Sequence, residues 1–163
     1  PQDVAADIST MDTAGLFTDA QVTDPECNDL FPALPITGAI HDAAVPTEFR
    51  GGEIPDGTYH LVQRDFYRSL NPVTRFYGRT IVVRGDTHQI VSLGTSNEDF
   101  SRAYIRRSTC IVIRPMSPET PFCRFTCPSK LREVQAFFPH KMRGSQVVVA
   151  SGAEIQTYDR VAP

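Results

Sequence analysis

The residues with the most chemistry to offer are four cysteines, Cys27, Cys110, Cys123 and Cys127. Four cysteines allow three pairings, and an even set in an oxidising compartment reads as a disulfide framework. The rival chemistry is metal ligation. Cys123 and Cys127 are spaced so that they could share an ion, but no histidine lies within ten residues of either, and Cys110 is thirteen residues from Cys123. Structural zinc sites gather four thiolate or imidazole ligands, so this pattern argues for no metal and no cofactor. Antiparallel geometry suggests a pairing. If the chain reverses near Met116-Ser117, Cys110 lies opposite Cys123, as a cross-strand disulfide requires. Cys127 is then left for Cys27.

Catalytic chemistry finds less support. The four histidines, His41, His60, His88 and His140, are scattered along the chain, and no nucleophile elbow, zinc-protease motif or phosphate loop occurs. The expectation is a protein with no catalytic residues, not an enzyme. Arg84-Gly85-Asp86 is the cell-adhesion tripeptide, but its residue types are also those a tight hairpin needs, and turn chemistry alone accounts for it. Aromatic side chains are the main binding resource. Tyr59, Phe66, Phe100, Tyr104, Phe122 and Phe138 lie in or beside expected strands and could line a pocket for a small apolar ligand. The competing use of such residues is to fill the interior of a small barrel.

The elements that must position these residues are strands. After Pro55-Asp56-Gly57, the residues Tyr59, Leu61 and Gln63 alternate with His60, Val62 and Arg64, the period-two pattern of a strand after a turn. Further β-type segments follow at Tyr77–Arg84, His88–Leu93, Phe100–Arg107, Thr109–Arg114, Phe122–Cys127, Leu131–Pro139, Ser145–Ala150 and Glu154–Val161. Short strands at this regular spacing predict an all-β fold. We expect an antiparallel up-and-down barrel of about eight strands over residues 51–163, preceded by an extended N-terminal arm over residues 1–50. A short helical turn over Ser129–Ala136 is a further expectation.

Charge divides the chain at the same place. Residues 1–50 hold nine acidic residues against one basic, and residues 51–163 hold ten acidic against fifteen basic. An anionic arm beside a cationic barrel favours the arm lying on its own barrel or on a neighbouring copy's, so a homo-oligomer built through residues 1–50 is one expectation. The overall acidity and the absence of any long basic run argue against nucleic acid as a partner. No stretch approaches the ~20 apolar residues of a membrane span.

Three segments carry a resemblance. Ile54-Pro55-Asp56-Gly57-Thr58-Tyr59, Thr126-Cys127-Pro128 and Ala153-Glu154-Ile155-Gln156-Thr157-Tyr158-Asp159-Arg160 resemble small secreted bacterial proteins, often lipoproteins, of unassigned activity. The resemblance implies a lipocalin-like barrel, secreted or at the cell surface (extracellular or periplasmic), whose interior could hold a small apolar ligand. It carries over no catalytic residue. Two functions are therefore expected to compete: a non-catalytic secreted barrel that binds a small hydrophobic ligand, and a structural subunit of an extracellular filament or layer assembled through the arm.

Overall fold

The computed structural model describes residues 21–49, 51–68, 76–95, 103–113, 122–128, 135–137 and 139–161. Eleven strands occur in this order: β1 Gln21–Thr23, β2 Ala39–His41, β3 Gly57–Tyr67, β4 Tyr77–Arg84, β5 Thr87–Thr95, β6 Ala103–Ile113, β7 Phe122–Cys127, β8 Gln135–Phe137, β9 His140–Arg143, β10 Gln146–Ser151 and β11 Glu154–Val161. Nine of them run side by side in the order β8-β7-β6-β5-β4-β3-β11-β10-β9, each pair antiparallel. The expected all-β, up-and-down arrangement is the observed one. Among the described residues no pairing joins β8 to β9, so the sheet curls into a half-barrel with those two strands at its margins.

Local sequence explains most of the strands. β4 begins and ends where alternation and the Arg84-Gly85-Asp86 turn place it, with Gly85 at φ 56° supplying the left-handed turn residue. β6 is one continuous strand where two were expected, because Ser108 interrupts neither the extended backbone nor the pairing to Ile90. The expected helical turn lies outside the described residues over 129–134, and Gln135–Phe137 is strand.

The most consequential departure is in β3. Its pairing with β11 shifts register: Thr157 faces Gln63, yet Tyr158 faces Leu61. Val62 is the extra residue of a bulge, which reverses the parity of everything after it. Arg64 therefore shares a sheet face with Tyr59 and Leu61, where unbroken alternation would have sent it to the opposite side.

The arm is not a detached appendage over its described length. β1 lies parallel to the first half of β6, beyond the reach of β7, and β2 lies parallel to the end of β3, where β4 has splayed away. Both short strands cap exposed stretches of sheet edge, which would otherwise leave backbone groups unpaired. Between them the arm crosses the outer face of the sheet. The Asn28 side chain donates to Ser108 O at 3.0 Å and Ile90 O at 3.3 Å, Arg107 donates to Leu30 O, and Ile36 exchanges two backbone bonds of 3.0 Å with Tyr77. Beneath the arm, Leu30 packs on a core of Val91, Leu93, Ala103 and Ile105. A Cβ on Gly78 would sit 2.1 Å from Ala33 O, so only glycine lets the arm approach β4 this closely.

Two disulfides hold the frame, Cys27–Cys127 and Cys110–Cys123. Both pairings are those expected. The register differs, since Cys123 faces Val112 and Cys110 faces Phe125, a slip of two residues from the expected pairing. A two-residue slip preserves side-chain parity, so both cysteines remain on the same face. Among the described residues no helix is long and apolar enough to cross a membrane.

Candidate functional site

The inner face of the half-barrel carries a second core: Tyr59, Leu61, Val83, Val147, Val149 and Tyr158 are buried together, with Ile54, Ile81 and Met142 packed against them. Strand parity gathers them. On β4 the odd-numbered residues Arg79, Ile81 and Val83 face inward, and on β5 the even-numbered His88, Ile90 and Ser92 do so. These side chains do not fill the space. A recess of about 70 Å³ remains, walled by Ile81, Val83, Ile90, Val112, Val147 and Val149. Gly52 and Ile54 also line it, because the segment ahead of β3 crosses toward β9. There Gly51 N donates to His140 O at 2.7 Å, and His140 Nε2 lies 3.0 Å from Gly52 O. Gly51 and Gly52 take φ of 76° and 127°, values that favour glycine, so this pair is a pinned crossing.

One side of the recess is polar. Arg79 donates from Nε to Ser92 Oγ at 2.9 Å, and from Nη1 to Gln156 Oε1 at 3.2 Å and Tyr158 OH at 3.3 Å. Tyr158 OH donates in turn to Gln156 Oε1 at 2.5 Å. Gln156 Nε2 donates to Glu154 Oε1, which also holds the buried Arg64 at 2.6 Å. Both guanidiniums lie over the Tyr77 ring, at 4.8 Å from its centroid for Arg64 and 5.0 Å for Arg79. The β3 bulge is what delivers Arg64 to this network.

The environment sets the protonation states. Burial works against the Arg79 cation, but the oxygens of Tyr158, Tyr77 and Glu154 outweigh it and raise its pKa further. Burial pushes the Tyr158 phenol up to about 12, against the opposing influence of Arg79. At neutral pH the site is therefore a fixed cation beside a neutral phenol. Tyr59, whose hydroxyl donates to Pro55 O at 2.7 Å, is also raised, again chiefly by burial.

Of the aromatics expected to line a pocket, the structure places Tyr59 on the recess wall. Phe66 packs against Gly38 of the arm, and Tyr104 is 40% exposed, its ring passing close to Gly94. Neither lines the recess. Phe100 and Phe138 lie outside the described residues, as does the side chain of Phe122, whose backbone is the first residue of β7. The wall is instead aliphatic, because β-branched residues occupy the inward positions of β4 and β10. Sequence reasoning passed over Arg79 and Tyr158. One signal could have found Arg79: it shares the parity of Ile81 and Val83, so an arginine was due on an apolar face.

The fold also brings His88 to the cysteines, which sequence separation had seemed to exclude. Potential ligand atoms of His88, Cys110 and Cys123 lie within 4.8 Å of one another, and those of Glu26, Cys27 and Cys127 do likewise. In each group the two sulfurs are bonded to each other, and metal ligation requires thiolates. A broader depression of about 520 Å³ lies beside β2, between Pro35–Ala39 and Val62–Asp65, and is open to solvent. No family model, curated protein or solved structure matches this chain.

Proposed function

We propose that this protein is a non-catalytic, secreted half-barrel that binds a small apolar ligand in the recess on the inner face of its sheet. The observation that carries this reading is the recess itself: an aliphatic-walled space kept open between strands far apart in sequence, in a domain small enough that its interior would ordinarily be filled. Its volume is well below the ~300–1,000 Å³ of drug-sized ligand sites, so the ligand is short, or only its end is enclosed. A binding role fits the chemistry of the polar side, where Arg79 stays charged and Tyr158 stays neutral throughout the physiological range. Such groups orient a ligand and do not exchange protons with it. Two disulfides support an oxidising location.

The test is a titration of the isotope-labelled, oxidised protein with straight-chain alcohols of increasing length, followed by amide chemical shifts. Saturable shifts confined to β4, β5 and β10 are expected, with affinity reaching a limit at short chains. Ile81→Phe, which directs a larger side chain into the recess, should abolish them while far-UV circular dichroism is unchanged. Shifts that never saturate, or that survive Ile81→Phe unaltered, would refute the reading.

Assembly through the arm finds no specific support. Residues 21–49 are committed to their own sheet by β1, β2 and the Cys27–Cys127 bond. Such an assembly would rest on residues 1–20, which lie outside the described residues.

A further inference from the structure

The recess is apolar on most sides, yet a guanidinium stands beside it whose hydrogen bonds, among the described residues, all go to neutral groups. Two guanidiniums, Arg64 and Arg79, share the network, and among its described members Glu154 is the one carboxylate. Glu154 is engaged by Arg64 at 2.6 Å and by Gln156 Nε2 at 3.0 Å, and it makes no ion pair with Arg79. Among the described residues, every hydrogen-bond partner of Arg79 is a neutral group: Ser92, Gln156 and Tyr158. Three of its bonds are accounted for by Nε and Nη1, and Nη2 has no hydrogen-bond partner among the described residues. A guanidinium offers five N–H donors, and Arg79 is half-buried with hydrogen bonds to neutral groups, so its spare donors and its charge are open to an anionic partner. Arg79 is also one of the residues lining the recess.

Resting on the ligand-binding reading above, we infer that the ligand is a short aliphatic monocarboxylate whose carboxylate pairs with Arg79 and whose alkyl chain lies against Ile81, Val83 and Val149. Three features select this class. A single guanidinium facing the recess, with neutral hydrogen-bond partners, suits a monoanion better than a phosphate dianion. Arg79 Nη2 keeps donors free of described partners, and a carboxylate oxygen can accept a charge-assisted hydrogen bond from it. The mainly aliphatic walls and the volume of about 70 Å³ favour a small apolar tail. Tyr158, kept as a phenol, has already committed its proton to Gln156 Oε1, so its oxygen does not repel the incoming anion as a phenolate would.

The experiment uses the full oxidised chain and three probes of matched length: butanoate, 1-butanol and butylammonium, each titrated at neutral pH and followed by amide shifts of β4 and β10. A charge-assisted pair with Arg79 should make butanoate about tenfold tighter than 1-butanol or better, with butylammonium the weakest. Arg79→Met should reverse the order of acid and alcohol. Arg79→Lys, which keeps the charge but cannot hold Ser92 and Gln156 while also reaching the ligand, should retain a reduced preference for the acid. If the wild-type protein binds 1-butanol as tightly as butanoate, the recess is an apolar site and the anion inference is wrong while the ligand-binding reading stands. If none of the three probes gives saturable shifts, the ligand-binding reading has failed and this inference with it. The wild-type ranking needs no variant, so a failure of Arg79→Met to fold would not protect the inference.

Discussion

Removing the Tyr158 hydroxyl tests the polar network more sharply than any truncation. Tyr158→Phe deletes the donor to Gln156 Oε1 and one acceptor of Arg79, but leaves the ring and its packing in place. Gln156 Oε1 still receives Arg79 Nη1, so no buried acceptor is stranded, and the cost at neutral pH is that of one hydrogen bond, about 1 kcal/mol. The pH dependence goes the other way. The phenol's folded pKa is raised from 10.0 to about 12, so the neutral form is favoured by folding. That stability is fully present below the unfolded pKa and is lost as pH rises through the folded one. Two units correspond to about 3 kcal/mol in full, of which about half is lost by about pH 11. Phenylalanine has no such loss. The wild type should therefore be more stable near neutrality, and the two stability curves should cross near about pH 11. Urea unfolding of the oxidised proteins by far-UV circular dichroism, across the alkaline range, measures both curves. Tyr59 and every other alkaline titration are common to both proteins and cancel in the difference. Parallel curves would show that Tyr158 titrates as freely folded as unfolded, and the account of its burial beside Arg79 would be wrong.

Two further predictions concern the arm. Cys27→Ala with Cys127→Ala opens a loop of sequence separation 100, for which chain entropy alone gives about 4.7 kcal/mol and measured removals run about 2–5 kcal/mol. Equilibrium denaturation should fall in that range, and a loss under about 1 kcal/mol would mean that β1 and β2 hold the arm unaided. Gly78→Ala drives a Cβ into Ala33 O, so the arm must shift at a cost of about 1–3 kcal/mol. Hydrogen exchange should quicken at Ile36 and Tyr77, whose mutual backbone bonds lie next to the clash, and unchanged exchange there would contradict the contact.

Much of the fold was legible because strand signals are local. β4, β7 and β11 begin and end where alternation and turn residues place them. The disulfide pairing was legible for a related reason: parity survives an even error in register, so a pairing off by two residues still puts Cys110 and Cys123 on one face. β1 and β2 were not legible. Each is three residues long in an acidic, proline-punctuated stretch, and each exists only because β6 and β3 outlast their neighbours there. The pocket aromatics were chosen for size and misjudged the wall, since inward positions are decided by parity and β-branched residues hold most of them.

The amino-acid order by itself determined the strand identities, the turns, the face of each cysteine and the division of charge between arm and body, because each depends on neighbours a few positions away. Only the tertiary structure decided that Val62 would be a bulge, that Arg64 would consequently meet Glu154 across 90 positions, and that Arg79 would be left with neutral partners alone. The physical reason is that charge balance in a buried site is a sum over groups from distant strands, and no local pattern records which cation will find the carboxylate first.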